Sequence, residues 1–326
     1  MKNLMNILRL AVDKDFPVYS QYLHSTGKRL QTKSRDNTVD IEAEMPFVGC
    51  VKFSVLDSIC KMSEHVEFQV VDDFLQVSYG DATAQINIDD VGVPKLPELS
   101  ADFIDLDEET VNVIKLAAKF LGRGLYSYIC MTNEAIFATD KTRLFFHQFS
   151  GVGVENYIAI NAKIASLLDP SYRIGMNNNS TIVDLGIGKV EFSMDDLSDY
   201  PHKNIWEYVD RSAQDAIGIC QSEELLSAVR KVTPVIVDDT EQVVKLSNKD
   251  NTLEVSALSD DVGSSSVILP SLSDEELTLK IGVNVIASLS KGYDVAFAKD
   301  DNGVVNRIYA TSEVNKSEII LMGYSE

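Results

Sequence analysis

The chain has 326 residues, 45% of them hydrophobic and 8 of them proline, enough to fill about three small cores without long disordered tails. Its 50 acidic residues outweigh 29 Lys and Arg, for a formal net charge of −21. At first sight that argues against nucleic acid, because phosphate binding rests on cations that release counterions. No run approaches 18 apolar residues, and the first helical stripe is interrupted by Asn6 and Arg9, so no membrane span or signal peptide is read and the expected location is the cytoplasm.

Residues 4–12 open the chain with apolar positions three and four apart, the spacing of one buried helix face. Residues 51–59 then read as a strand running into a short helix, and from 66–71 and 75–79 the period changes to 2, as in half-buried hairpin strands. The same succession returns with an amphipathic stretch at 110–121, a strand and short helix at 158–167, and alternating strands at 171–176 and 181–185. A third copy runs through 222–232, 279–289, 293–297 and 306–310. Leu56, Ile164 and Ile286 correspond and lie 108 and 122 residues apart, the size of a small domain and far above a solenoid repeat.

Alternating strands with one wet face need helices on the other, so an α+β fold follows: three repeated domains, each with two helices packed on antiparallel sheets. Turn-forming residues near Pro94 to Ala101 and near Trp206 to Ala216 place the domains at 1–98, 99–207 and 208–326.

Catalytic signatures are missing. The scattered Cys50, Cys60, Cys130 and Cys220 read as buried free thiols, and His24, His65, His147 and His202 lack metal-ligand spacing. Gly151-Val152-Gly153 lacks the third glycine of a dinucleotide loop. The aspartate pairs Asp72-Asp73, Asp89-Asp90, Asp195-Asp196, Asp238-Asp239, Asp260-Asp261 and Asp300-Asp301 could hold a metal. Their spread over all three copies suits turns better. No metal, no cofactor and no enzymatic activity are expected.

Cations, by contrast, gather on the amphipathic stretches: Arg9, Lys14, Lys61, Lys115, Lys119, Arg123, Lys163, Arg230, Lys231 and Lys291. Acid on those helices sits at their starts, in Glu108-Glu109 and Glu223-Glu224, where it complements the helix dipole. Net charge misleads when sign is segregated by face, so a basic helical wall with an acidic exterior is expected.

Residues 138–144, Ala-Thr-Asp-Lys-Thr-Arg-Leu, resemble the Ala-Thr-Asp-Gly-His-Arg-Leu strand and turn of the sliding clamps of the bacterial DNA polymerase III β subunit family. Residues 188–200 are similar to that family's strand before a Phe-Pro-Asp-Tyr turn, Gly282-Val283-Asn284-Val285 to its Gly-Phe-Asn-Val, and residues 318–323 to its C-terminal strand. The resemblance covers nearly the whole chain. It implies a homodimeric head-to-tail ring around double-stranded DNA, with the ten cations facing the duplex and no chemistry performed.

It also implies that a DNA polymerase and a clamp loader dock through short linear motifs on Thr139, Arg143, Leu144, Asn284, Ile320, Leu321 and Met322. Lys141-Thr142 stands for the family's Gly-His, Leu197-Ser198 for Phe-Pro, and residues 323–326 for a Pro-containing basic end. A changed rim implies a changed partner motif, as in a divergent replication system such as a bacterial virus. Exposed apolar groups for the ring contact are expected at Ile86, Ile88, Val235 and Ile236. The rival reading is a noncatalytic acidic scaffold or inhibitor that mimics nucleic acid, which predicts acidic helices.

Overall fold

A computed structural model describes residues 1–14, 18–91, 96, 98–149, 157–177, 180–194, 200, 202–236, 242–314 and 316–324, with backbone alone at 202 and 203. The pairs Asp195-Asp196 and Asp238-Asp239, the Leu197-Ser198 step, Gly151-Val152-Gly153, Pro94 and Ser325-Glu326 fall outside these residues.

The first copy comprises α1 (Lys2–Leu8), a 3-10 turn (Arg9–Ala11), strands β1 (Tyr22–Thr26), β2 (Arg29–Lys33), β3 (Asn37–Glu42) and β4 (Val48–Lys52), helix α2 (Phe53–Met62), and strands β5 (Val66–Val71), β6 (Phe74–Tyr79) and β7 (Ala82–Asn87). The second opens on β8 (Ile104–Asp105) and α3 (Glu108–Ala117), then β9 (Tyr128–Met131), β10 (Ala135–Thr139), β11 (Arg143–Gln148), β12 (Ile158–Asn161), α4 (Ala162–Leu167), β13 (Arg173–Asn177), β14 (Ser180–Asp184) and β15 (Gly188–Ser193). Helix α5 (His202–Gln214) leads into the third: β16 (Ala216–Gln221), α6 (Ser222–Val232), β17 (Val243–Lys249), β18 (Thr252–Ser259), β19 (Gly263–Pro270), β20 (Leu277–Gly282), α7 (Val283–Ile286), β21 (Asp294–Lys299), β22 (Val305–Ser312) and β23 (Ser317–Met322).

Helix α6 shows why the amphipathic stretches fold as read. Leu225, Ala228, Val229 and Val232 are buried at spacings of three and four, Glu223 and Glu224 occupy the first turn, and Arg230 and Lys231 the last. Helix α5 was not expected. Ile205, Val209 and Ser212 form its buried face, so the boundary expected between 207 and 208 falls inside a helix.

Each copy contributes two blocks, a meander closed by the strand before its short helix and a second meander after it. The blocks combine into an eight-stranded sheet β4-β1-β2-β3-β15-β14-β13-β8, a second β12-β9-β10-β11-β23-β22-β21-β16, a four-stranded β19-β18-β17-β20 and a three-stranded β5-β6-β7. The large sheets therefore join different copies. β3 pairs β15 antiparallel with Ile41 opposite Gly188, and β11 pairs β23 with Leu144 opposite Ile320.

The chain divides into two compact units, residues 1–111 with 163–196, and residues 112–162 with 197–326. Each large sheet lies within one of them. Met5, Leu8, Leu23, Leu30, Ile41 and Phe192 are fully buried in the first, and Phe120, Phe137, Phe145, Phe146, Tyr293 and Phe297 in the second. All four cysteines are free and buried. Among the described residues no helix is long and apolar enough to cross a membrane.

Of the described aspartate pairs, Asp72-Asp73, Asp260-Asp261 and Asp300-Asp301 occupy hairpin turns between consecutive strands. Asp72 takes φ 55° there, and Asp300 accepts hydrogen bonds from the N–H groups of Asn302 and Val304. Short carboxylate side chains suit such turns because they bond their own backbone and tolerate left-handed φ.

Gly188 marks the tightest point of the β3–β15 seam, where a Cβ would meet the Ile41 Cα at 2.6 Å. Gly188→Ala should cost about 1–3 kcal/mol in urea unfolding, whereas Gly218→Ala, whose Cβ would meet nothing within 4 Å, should be near neutral.

Candidate functional site

The pairing of β11 with β23 sets residues 143–144 beside 320–322, two segments remote in sequence. The β10–β11 turn above them is organised by Asp140. Its carboxylate accepts from the N–H of Thr142 at 2.9 Å, the N–H of Arg143 at 2.8 Å and the Thr142 hydroxyl at 2.8 Å, and it pairs with the Arg143 guanidinium at 2.6 Å. Burial opposes ionisation of Asp140, but the hydrogen bonds from Arg143 and Thr142 outweigh it and hold its carboxyl below the ordinary range. Thr139 closes the turn, its hydroxyl donating to the Arg143 carbonyl at 2.7 Å and accepting from the Lys141 N–H at 3.1 Å.

Helix α5 supplies the facing wall. Trp206 meets Phe146 edge-on with centroids 4.7 Å apart. The Tyr208 hydroxyl donates to the Met322 sulfur at 2.7 Å, and Arg211 pairs with Glu207 at 2.6 Å and Asp301 at 3.6 Å. Between turn, sheet and helix lies a pocket of about 510 Å³ inside the second unit, within the range of ligand-sized clefts. Behind the wall, Arg307 is only 6% exposed. Its guanidinium donates to the Ser212 hydroxyl at 2.9 Å and to the Asn306 side-chain carbonyl at 2.9 Å, and lies 5.4 Å from the Tyr208 ring centroid. Burial pushes the Tyr208 phenol up, with Arg307 pulling the other way.

Five of the seven residues expected in a partner slot, Thr139, Arg143, Leu144, Ile320 and Met322, line this pocket. Two do not. Leu321 is fully buried in its sheet, because along a strand it alternates away from Ile320 and Met322. Asn284 is exposed on α7 and is not part of the lining. Sequence reading missed Tyr126, Asn204, Ile205, Glu207, Tyr208 and Arg211. The signal for the α5 residues was the spacing of Ile205 and Val209, four apart, hidden behind a polar stretch that reads as a linker.

All ten cations are exposed. Lys61, Lys115, Arg230 and Lys231 close their helices, and Arg9 and Lys119 sit in 3-10 turns that extend α1 and α3. Two of them are not fully available: Arg9 and Lys61 both pair with Asp57. Burial opposes ionisation of Asp57, but hydrogen bonds from Lys61 and Arg9 hold its carboxyl below the ordinary range. Among the described residues no group of three or more His, Cys, Asp and Glu is arranged to hold a metal.

Two of the four expected contact residues need correction. Ile86 lies on edge strand β7 but is 6% exposed, and Ile236 is 2% exposed, so both fill core rather than project outward. Ile88 and Val235 are half-buried. Among the described residues, exposed apolar groups on edge strands are Ile268 of β19, 69% exposed, Val48 of β4 and Val70 of β5.

No family model and no curated protein matches the chain. Solved structures do. A DNA polymerase sliding clamp from Bacillus subtilis matches with TM-score 0.79 and 16% identity over 99% of this chain and 96% of that one. The fold is that of the sliding clamps. A Pseudomonas aeruginosa DNA polymerase III subunit beta bound to griselimycin matches with TM-score 0.80 and 14% identity over 99% and 96% of the two chains. A Helicobacter pylori beta clamp bound to a DNA ligase peptide matches with TM-score 0.77 and 13% identity over 100% and 97%.

Asp140→Asn should lower stability by about 1.5–3 kcal/mol at neutral pH in urea melts, the range for hydrogen bonds to a charged group. Because the folded carboxyl is depressed, this contribution is present above the unfolded value of about 4 and lost as pH falls through the folded one. The gap between wild type and variant should therefore close in acid.

Proposed function

We propose that two copies of this chain close head to tail into a ring around double-stranded DNA and act, without catalysis, as a processivity factor that tethers a DNA polymerase in the cytoplasm. The observation that carries the reading is the pattern of strand edges. A first-block edge pairs with a second-block edge twice within the chain, β3 with β15 and β11 with β23, which leaves β19 and β7 as the equivalent edges without a partner among the described residues. A β19 edge on one protomer and a β7 edge on its partner repeat the same pairing, and two such seams close a ring. An exposed strand edge is a liability unless a specific partner covers it, and a heterologous contact that closes avoids filaments.

The charge pattern supports the same reading. Cations at helix ends give nonspecific, screened contacts to phosphates, which hold a duplex without fixing a register. The pocket beside β11, β23 and α5 suits a short linear motif with apolar anchors, so polymerase and loader would share it in turn. The three-domain division at 1–98, 99–207 and 208–326 belongs to this reading as the unit of repetition.

Light scattering should give twice the chain mass, and Ile268→Asp on β19 should shift the chain to monomer without unfolding it; a wild-type monomer that ignores DNA would favour the acidic scaffold. Separately, Lys115→Glu, Lys119→Glu and Arg123→Glu combined should reduce retention on DNA at least tenfold at low salt, as loss of three phosphate contacts demands. Unchanged retention would remove these residues from the DNA-facing set.

A further inference from the structure

We infer that the pocket of the second unit selects a peptide carrying a carboxylate beside its apolar anchor, and that Lys141 is the residue that reads it. The inference rests on the pocket being a docking site for short peptides, and goes beyond it in naming the chemistry of the occupant.

Three cations line the pocket, Lys141, Arg143 and Arg211. Arg143 is committed to Asp140 at 2.6 Å, and Arg211 to Glu207 at 2.6 Å. Lys141 has no carboxylate partner among the described residues. Its ammonium lies 5.0 Å from the centroid of the Tyr126 ring, a weak partner that leaves it able to turn toward a ligand. Arg307, beneath the pocket wall, makes its hydrogen bonds to neutral groups of Ser212 and Asn306. Asp300 is within electrostatic reach of Arg307 but accepts from the backbone of its own turn. One cation at the rim and one behind the Tyr208 wall thus favour an anionic group in a pocket that is otherwise largely apolar, on a chain of net charge −21.

The backbone of Lys141 is also unusual for a residue of the pocket lining. Lys141 takes φ 80°, a left-handed conformation that glycine adopts freely and a long side chain resists. The Asp140 and Thr139 hydrogen bonds impose that conformation on the turn, so the Lys141 backbone is fixed at the rim while its side chain stays able to turn. Strain retained at a surface turn points to a use for the side chain.

Random octapeptides displayed against the immobilised full chain, with Thr142→Trp as a variant that fills the pocket, test this. Peptides that require an open pocket should carry Asp or Glu within two positions of an apolar anchor. In fluorescence anisotropy the labelled Asp form of a selected peptide should bind roughly three- to fivefold tighter than its Asn form, the scale of an exposed charge pair, with the ratio shrinking as salt rises. Lys141→Gln should abolish that ratio, and Lys141→Glu should reverse it in favour of a Lys form. Lys141→Gly, free of the φ constraint, should fold at least as well as wild type and bind like Lys141→Gln. Pocket-dependent peptides without acidic preference, or a preference indifferent to Lys141, would overturn this inference and leave the docking site intact. A selection with no pocket-dependent peptides would overturn the docking site itself.

Discussion

Everything in this chain depends on antiparallel pairing between the edge strands of different copies. A meander of three strands buries one face and leaves an outer row of unpaired N–H and C=O groups. Here the row on β3 is satisfied by β15 and the row on β11 by β23, so two eight-stranded sheets replace four small ones. The β3 register is set by its buried face, because a slip of one residue would turn Val39 and Ile41 toward water. The pocket is a consequence of the second seam, since only that pairing puts Leu144 against Ile320.

Charge is organised by the same architecture. Aspartate is concentrated in hairpin turns, where it shapes the backbone and solvates the exterior, while Lys and Arg collect in the last turns of helices, where the dipole favours them. Each placement has a local cause. Asp57 of α2 shows the placement adjusted in detail, drawing Arg9 and Lys61 onto one carboxylate.

Much of this was legible in the sequence. Periodicity located α1, α3 and α6 with the short helices α2, α4 and α7, because each carries one apolar stripe and each is followed by alternating strands. Thr139, Arg143, Leu144, Ile320 and Met322 were brought together as candidates by a resemblance, not by physics, since nothing local says that β11 and β23 meet. Helix α5 was missed because its first turn is polar and lies just after Pro201 and Tyr200, so a linker was the simpler reading. Ile86 and Ile236 were misplaced for a related reason: apolar residues near an edge look alike in sequence whether they point along the sheet or into the core. The strained φ of Lys141 could not be read from composition at all, though its place in a turn otherwise suited to glycine was the clue.

The central claim is topological, and it is tested most directly by retention on a circular plasmid before and after linearisation, using dimer re-formed from monomers in the presence of the DNA. A closed ring predicts that the chain stays on the circle at moderate salt and is lost once a restriction cut supplies free ends. Equal retention on circular and linear DNA, or none on either, would contradict it.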